Sequence, residues 1–455
     1  MRNTRLEFSL NKGGGKEWMP NAKSSIGGTL CASTMMMAPG KILLAGGYLV
    51  LEPMNFGLVI AVDKRVFTTA MISRAEHSDN TVQIQVDSPQ FGQSWKYSYN
   101  RKEGTFAESM NASSNELIEK TLRVSLLYLL ENDPSVHSIH LKIQADNDFY
   151  SLATHLKERN LPITLNNALS LPKFLPATVD QTSRKVCKSG LGSSACLVTS
   201  MVGALCHKFQ KSDAILYNLA QISHCYAQGK VGSGFDVSAA CHGSHVYQRF
   251  PETILHELLS TLETPSSIVH AKSLLKDVVE STWPGGVIKP LTMRGFLQVI
   301  MADVSGGSES PSMARSVLAW KRKQQKGRIS HWDELAEANQ EIVRVWQQLM
   351  DLPSLTKEEV TQLASCSPEK WSDGLNGWTA VQKETGRLTA ELRRLLLDTR
   401  RHLKQMGEGA GVPVEPDEQT TLADATSAVP GVVAALVPGA GGYDALACLY
   451  INQDE

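Results

Sequence analysis

KSGLGSSACLVTSMVGALCHKF, running from Lys188 to Phe209, sets small polar residues directly before an apolar run. Val198, Met201, Val202, Leu205 and Phe209 recur at helical spacing, which predicts a helix that is apolar nearly all round and therefore buried. Gly190 and Gly192, with Ser189, Ser193 and Ser194, form the loop that opens it. The first N–H groups of such a helix lack intrahelical partners and lie at the positive end of its dipole, so an anion satisfies both. Glycines let a ligand approach the backbone, and serine hydroxyls add donors or an oxygen for magnesium. Phosphate is the anion expected there. A C-cap glycine followed by an ordinary serine N-cap is the simpler alternative, and the density of small polar residues weighs against it.

Two other phosphate loops fit less well. A Walker A loop needs Gly-Lys-Ser/Thr after its glycines, whereas Gly192 is followed by Ser193 and Ser194 and the lysine, Lys188, precedes the loop. Gly190-x-Gly192-x-x-Ala195 matches the dinucleotide spacing, with Asp213 at a tolerable distance for a ribose. Residues 180–185 (DQTSRK) are nevertheless no buried strand, and no βαβ unit brackets the motif.

The chain has 455 residues, 42% of them apolar, enough for a large core and two domains or lobes. A net charge of −1 gives no whole-molecule attraction to nucleic acid or anionic membrane, so an anion site must use local cations. No uncharged stretch reaches the length of a membrane span. Eight cysteines are scattered singly without a CxxC, which reads as reduced thiols in a cytosolic protein and not as a zinc site.

Residues 1–35 are polar and glycine-rich, and a disordered extension is expected there. A second dense motif follows, APGKILLAGGYLVL over 38–51, a strand entering a Gly-Gly turn with Lys41 at its mouth. Strands are expected at 57–63, 66–72, 81–86, 94–99 and 136–145, the last three alternating with period two. Ser113 and Glu116 form a capping box for a helix to about Leu130. Residues 146–185 are polar and punctuated by proline, which reads as a lid, a binding loop or a partly disordered insertion. A helix from Ser212 to about Gln228 then leads into the third motif, QGKVGSGFDV over 228–237, whose Asp236 opens an apolar segment. Asp236 alone would read as an N-cap; His224, His242 and His245 read as structural.

After about residue 290 the pattern becomes strand 296–304, helices near 312–326, 330–350, 356–365 and 378–406, and strands 431–437 and 445–451. Arg315, Lys321, Arg322 and Lys323 read as a solvated helix face. PGAGGYD, 438–444, joins the last two strands as a fourth glycine-rich motif; a tight hairpin turn is its plain structural role.

PGKILLAGGY, SGLGSSA, GSGFD and PGAGGYD, in this order and at these separations, resemble the signature set of the GHMP small-molecule kinases, in pieces from Met36 to Ile451. Flanking words such as HCYAQGKVGSGFDVSAACHGSHVYQRFP and ADVSGGSESPSMARSVLAW resemble the branch whose acceptor is 5-phosphomevalonate. The resemblance implies a two-lobed α+β fold with an N-terminal lobe of ribosomal-protein S5 type (36–289), a ferredoxin-like C-terminal lobe (290–455) and the active site between them. It also implies magnesium-dependent transfer of the ATP γ-phosphoryl group to phosphomevalonate, on the route to isoprenoids and sterols, by a cytoplasmic monomer or homodimer. Mevalonate or diphosphomevalonate as substrate, and a sensor that binds without catalysis, are the competing implications.

Roles carry over by motif. The ATP loop would comprise Lys188, Ser189, Gly190, Leu191, Gly192, Ser193, Ser194, Ala195, Cys196, Leu197 and Val198, with Ser194 meeting magnesium. Lys41 and Asp236 would be catalytic. Tyr48, Lys230, Ser233, Gly234 and Arg249 would face the acceptor, Lys230 and Arg249 as cations for its phosphate. A phosphate monoester has its second pKa near about 6 and is mostly dianionic at neutral pH, so Asp236 is expected to orient the acceptor, without an obligatory general-base step. Many relatives carry a glutamate as second magnesium ligand in the helix before GSGFD, yet residues 214–235 hold no acid.

Overall fold

The computed structural model describes residues 33–453 apart from 76–79, 108–113, 132, 180–185, 264–266, 292, 294, 305–309, 324–330 and 444. The expected extension over 1–35 and the cap residue Ser113 thus lie outside the described residues, except for 33–35.

Eight strands form one sheet: β1 (Thr34–Ala45), β2 (Phe56–Arg74), β3 (Thr81–Ser88), β4 (Gln93–Asn100), β5 (Thr105–Phe106), β6 (Val136–Ala145), β7 (His245–Gln248) and β8 (Gly286–Pro290). Their order is β5-β4-β3-β6-β2-β7-β8, with β1 also paired to β2; β3 and β6 run parallel and every other pair is antiparallel. The two strands expected at 57–63 and 66–72 are one, β2. Asp63, Lys64 and Arg65 include no glycine or proline to turn the chain, so the strand continues through an irregularity there, Pro39 pairing with Arg65 and Lys41 with Ala61. The second sheet, order β10-β11-β9, is antiparallel and built from β9 (Leu297–Asp303), β10 (Val432–Leu436) and β11 (Ala445–Ile451).

The helix Ser193–Lys208 lies in the core, with Val198, Met201, Val202 and Leu205 fully buried. Burying each such side chain stabilises by roughly 1.5–3 kcal/mol. A buried polar contact to the sheet, between Thr68 Oγ1 and Ser200 Oγ at 2.8 Å, orients the helix on β2. The first-half helix begins at Glu116, and Asn115 caps it by accepting from Ile118 N–H.

Residues 146–185 carry more structure than their composition predicts, including short helices Ala153–Glu158 and Leu165–Leu169. Side chain to backbone bonds hold this segment: Gln90 Nε2 donates to Leu175 O (3.1 Å) and Asn147 Nδ2 to Pro172 O (2.7 Å). Such bonds leave no apolar period to read.

The long helices of the second half are Ser310–Lys323, His331–Asp351 and Ala380–Ala410. One continuous apolar core joins the sheets, running from Ile42 and Leu58 through Trp346 and Leu392 to Leu449. Buried Asn339 reinforces the junction by donating to Phe56 O at 2.6 Å. The division expected near residue 290 therefore separates the sheets but not the packing.

Candidate active site

All four glycine motifs line one cavity of about 470 Å³ between the sheets, with Lys41, Gly192, Asp236 and Gly439 in its wall. Another cavity of similar volume, about 460 Å³ beside Lys289 and Asp351, contains none of them, so composition and not size identifies the site.

The first and second motifs are bonded together. Lys41 N–H donates to Leu191 O (3.0 Å) and Lys41 Nζ to Gly190 O (2.9 Å), and buried Cys196 Sγ donates to Pro39 O (3.1 Å). Gly192 caps the buried helix in the left-handed region, φ +82°. A Cβ there would stand 3.2 Å from Lys41 Cε and 3.9 Å from Asp236 Cβ. Gly192 thus lies against both side chains, and only a residue without a Cβ leaves room for the lysine stem.

Intrahelical bonding starts with Cys196 N–H to Gly192 O, so the N–H groups of Ser193, Ser194 and Ala195 occupy the open end of the helix. Of the eleven residues assigned to the ATP loop, Ser189, Leu191, Ala195, Cys196 and Val198 are buried. The last three belong to the first turns of a core helix. Burial and the nearby Asp236 push the Cys196 thiol well above its ordinary pKa, so it remains protonated. Ser189 Oγ donates to Asp148 O, which anchors the loop to the 146–185 segment.

Gly234, φ +78°, opens the helix Phe235–His242, and Asp236 stands in its first turn. A Cβ on Gly234 would fall within about 3 Å of Phe250, Tyr247 and Gln221. Gln221 Nε2 donates to Gly234 O (2.8 Å) and Tyr247 Oη to Ser233 O (2.7 Å), fixing the turn that presents Asp236. Asp236 is therefore not the N-cap; it accepts from its neighbour Val237 N–H at 2.9 Å. Lys41 Nζ lies 5.5 Å from the Phe235 ring centroid.

The first and fourth motifs meet as well. Tyr48 Oη donates to Ala440 O at 2.6 Å, and a Cβ on Gly47 would lie 2.9 Å from Gly439 O. Tyr48, expected to face the acceptor, lines the cavity while its hydroxyl links the two walls. PGAGGYD does join β10 to β11, as its plain structural role requires, and it also closes the cavity.

Arg249 departs from expectation. It lines the cavity but is only 4% exposed, and its guanidinium is spent on Gly232 O, Val231 O, Leu51 O and Glu252. Its donors brace the third motif, so little remains for a substrate phosphate. Lys230 is exposed at the rim, as expected of a phosphate cation. Arg315, read from sequence as solvated helix surface, also lines the cavity. Lys321 of the same cluster pairs with Glu52 and stacks 4.0 Å from the Trp332 ring centroid.

His224, expected to be structural, is buried, but against the site: its Nε2 lies 3.3 Å from Ser194 Oγ and 2.9 Å from Gln228 Nε2. Burial holds its pKa below the ordinary imidazole value, partly opposed by Asp236, so a neutral ring accepts these bonds. Gln221, His224 and Gln228 stand three and four apart on the helix Asp213–Gln228, a polar stripe at helical spacing that marks this face. His245 is structural as expected, between Ser238 Oγ and Gly243 O. Ser194 Oγ is an oxygen suited to magnesium, and the helix Asp213–Gln228 supplies no acid after its first residue, a donor set that suits an ion keeping waters and nucleotide oxygens.

The description "GHMP kinases N terminal domain" matches residues 163–244, spanning the second and third motifs. The peroxisomal phosphomevalonate kinase of Arabidopsis thaliana is 31% identical over 91% of this chain and 89% of its own. The phosphomevalonate kinase of Gibberella zeae is 34% identical, covering 92% and 88%. Streptococcus pneumoniae phosphomevalonate kinase, solved with phosphomevalonate and AMPPNP, superimposes with a TM-score of 0.56 at 14% identity over 92% of both chains, which shows a common fold. With its four motifs around one cavity and relatives of this identity along nearly its whole length, the chain belongs to the phosphomevalonate kinases of the GHMP kinase superfamily.

Proposed function

We propose that the cavity transfers the γ-phosphoryl group of ATP to the phosphate of (R)-5-phosphomevalonate, giving (R)-5-diphosphomevalonate. The observation that carries this is Gly192, where an added Cβ would meet both Lys41 and Asp236 at the mouth of the phosphate loop. The loop from Gly190 to Ser194 and the open N–H groups beyond it receive the nucleotide phosphates. Lys41, held by Gly190 O, places its ammonium where charge gathers on the transferred group. Asp236 orients the acceptor, whose dianionic phosphate needs little deprotonation before attack. Lys230 and Arg315 neutralise the acceptor phosphate, and Arg249 acts as the brace of the loop between them.

Magnesium would be held by Ser194 Oγ together with water and nucleotide oxygens, and would supply charge neutralisation on the phosphates. Ser194→Ala should shift the magnesium titration of the reaction to higher concentration; an unchanged titration removes Ser194 from that role. The same proposal divides the chain into lobes 36–289 and 290–455 around the cavity. Among the described residues no helix is long and apolar enough to cross a membrane. We place the enzyme in the cytoplasm; the name of the Arabidopsis relative makes the peroxisome the alternative, and imaging of the tagged full chain decides between them.

The deciding assay incubates purified chain with ATP and, separately, mevalonate, phosphomevalonate and diphosphomevalonate. ADP release with phosphomevalonate alone is expected. Turnover of mevalonate instead would reassign the acceptor, and ADP release with none of the three would favour a sensor.

A further inference from the structure

Away from the cavity, the helices His331–Asp351 and Ala380–Ala410 bring three metal-binding side chains together. His331 Nδ1 lies 3.3 Å from Glu334 Oε2, and His402 Nδ1 lies 3.4 Å from the same oxygen. Among the described residues, the three ligand atoms all fall within 4.8 Å of one another. His331 and Glu334 are three apart and so share one helix face, while His402 arrives from the other helix. Bonds of about 2.0–2.1 Å at tetrahedral angles set neighbouring ligand atoms about 3.3 Å apart, close to the two nitrogen–oxygen separations of 3.3 and 3.4 Å. Two imidazoles and one carboxylate suit zinc and its transition-metal neighbours, whereas magnesium and calcium prefer oxygen alone.

His402 supplies a second, independent observation. Its side chain is 15% exposed, and its Nδ1 is shut from solvent yet makes no hydrogen bond among the described residues. A buried polar atom left this way costs free energy, and a coordinated ion would remove that cost. The simpler explanation gives Glu334 to the helix dipole, as an acid in the first turn beside two chance histidines. It leaves the His402 nitrogen near Glu334 but without a hydrogen bond among the described residues.

We infer that His331 Nδ1, His402 Nδ1 and Glu334 Oε2 bind one divalent transition ion of the zinc class, with water completing the shell on the exposed side of His331 and Glu334. Both rings coordinate as neutral imidazoles with the proton on Nε2. The ion ties the first turn of one helix to the other. The next residue, Leu403, would touch a methyl placed on Gly47, and Trp332 packs in the same cluster as Tyr48. Metal binding therefore stiffens the wall of the cavity that the second half supplies.

The test strips the untagged full-length chain with chelator and titrates Zn²⁺ by calorimetry and thermal melting, with Co²⁺ absorption as a report of nitrogen ligation. One ion per chain and a higher Tm are expected. His331→Ala, at an exposed position that leaves the fold intact, and Glu334→Gln should each weaken binding at least about tenfold. No saturable binding overturns the inference. So does binding that both variants leave unchanged, since that would place the ion elsewhere, on the free thiols for example.

Discussion

The two walls of the cavity are built differently. The wall from the first half is locked by backbone-directed bonds: Lys41 to Gly190 and Leu191, Gln221 to Gly234, and Arg249 to Gly232. The wall from the second half meets it through Tyr48 on Ala440 and the close approach of Gly47 to Gly439. Groups that must stand within tenths of an ångström of reacting atoms lie on the rigid side, where loss of position costs most. The wall that must admit two substrates is joined more lightly. Substitutions on the first wall should therefore depress turnover, and those on the second should change binding and closure.

The largest effect tests the first wall directly. Asp236→Ala should lower kcat by about 10³ or more with Tm nearly unchanged, because among the described residues its side chain bonds only its neighbour's N–H while the acceptor depends on it. A rate within tenfold of the parent would move catalysis to another residue.

Next comes the crowding at Gly192. Gly192→Ala brings a methyl to 3.2 Å from Lys41 at φ +82°, and should cost about 10–100-fold in kcat besides about 1–2 kcal/mol of stability. Gly229→Ala, at φ +65° with no atom within 4 Å, should cost similar stability and leave kcat alone. Equal kinetic losses in the two variants would mean that strain, and not displacement of the lysine, is responsible.

Tyr48→Phe probes the second wall. It removes the bond to Ala440 O and should cost about 1–2 kcal/mol, with KM rising several-fold and kcat changing less. A fall in kcat at constant KM would show that this wall also holds the reacting groups.

The smallest effect is a pH dependence of folding. Burial depresses His245 to about 4, so between its unfolded value, about 6.5, and about 4 the unfolded chain binds more protons. The contribution is complete above about 6.5 and is lost as pH falls to about 4, by roughly 3 kcal/mol. Urea midpoints across that range should fall in the parent and fall less in His245→Gln; parallel curves would assign the slope to other groups, such as His242 and His224, which burial shifts the same way.

Much of this arrangement was legible beforehand. Alternation at Val82, Ile84 and Val86 located β3, and helical spacing from Val198 to Phe209 located the buried helix, because both periods follow from local backbone geometry. Arg249 and Arg315 show where legibility stopped. One arginine in YQRF and one in a basic helix look alike in sequence, yet the first spends its donors on carbonyls while the second faces the cavity.

By itself the sequence located most of the strands, helices and glycine turns, and four of those turns resemble the motifs of the GHMP kinases. Periodicity, capping and left-handed glycines act over a few residues, so a linear reading captures them. Only the tertiary structure decided that Lys41 and Asp236 share Gly192 as a neighbour, that His224 backs Ser194, and that His402 joins His331 and Glu334. Those meetings bridge dozens to hundreds of residues, and they are set by how elements pack around a common core rather than by any preference within a single segment.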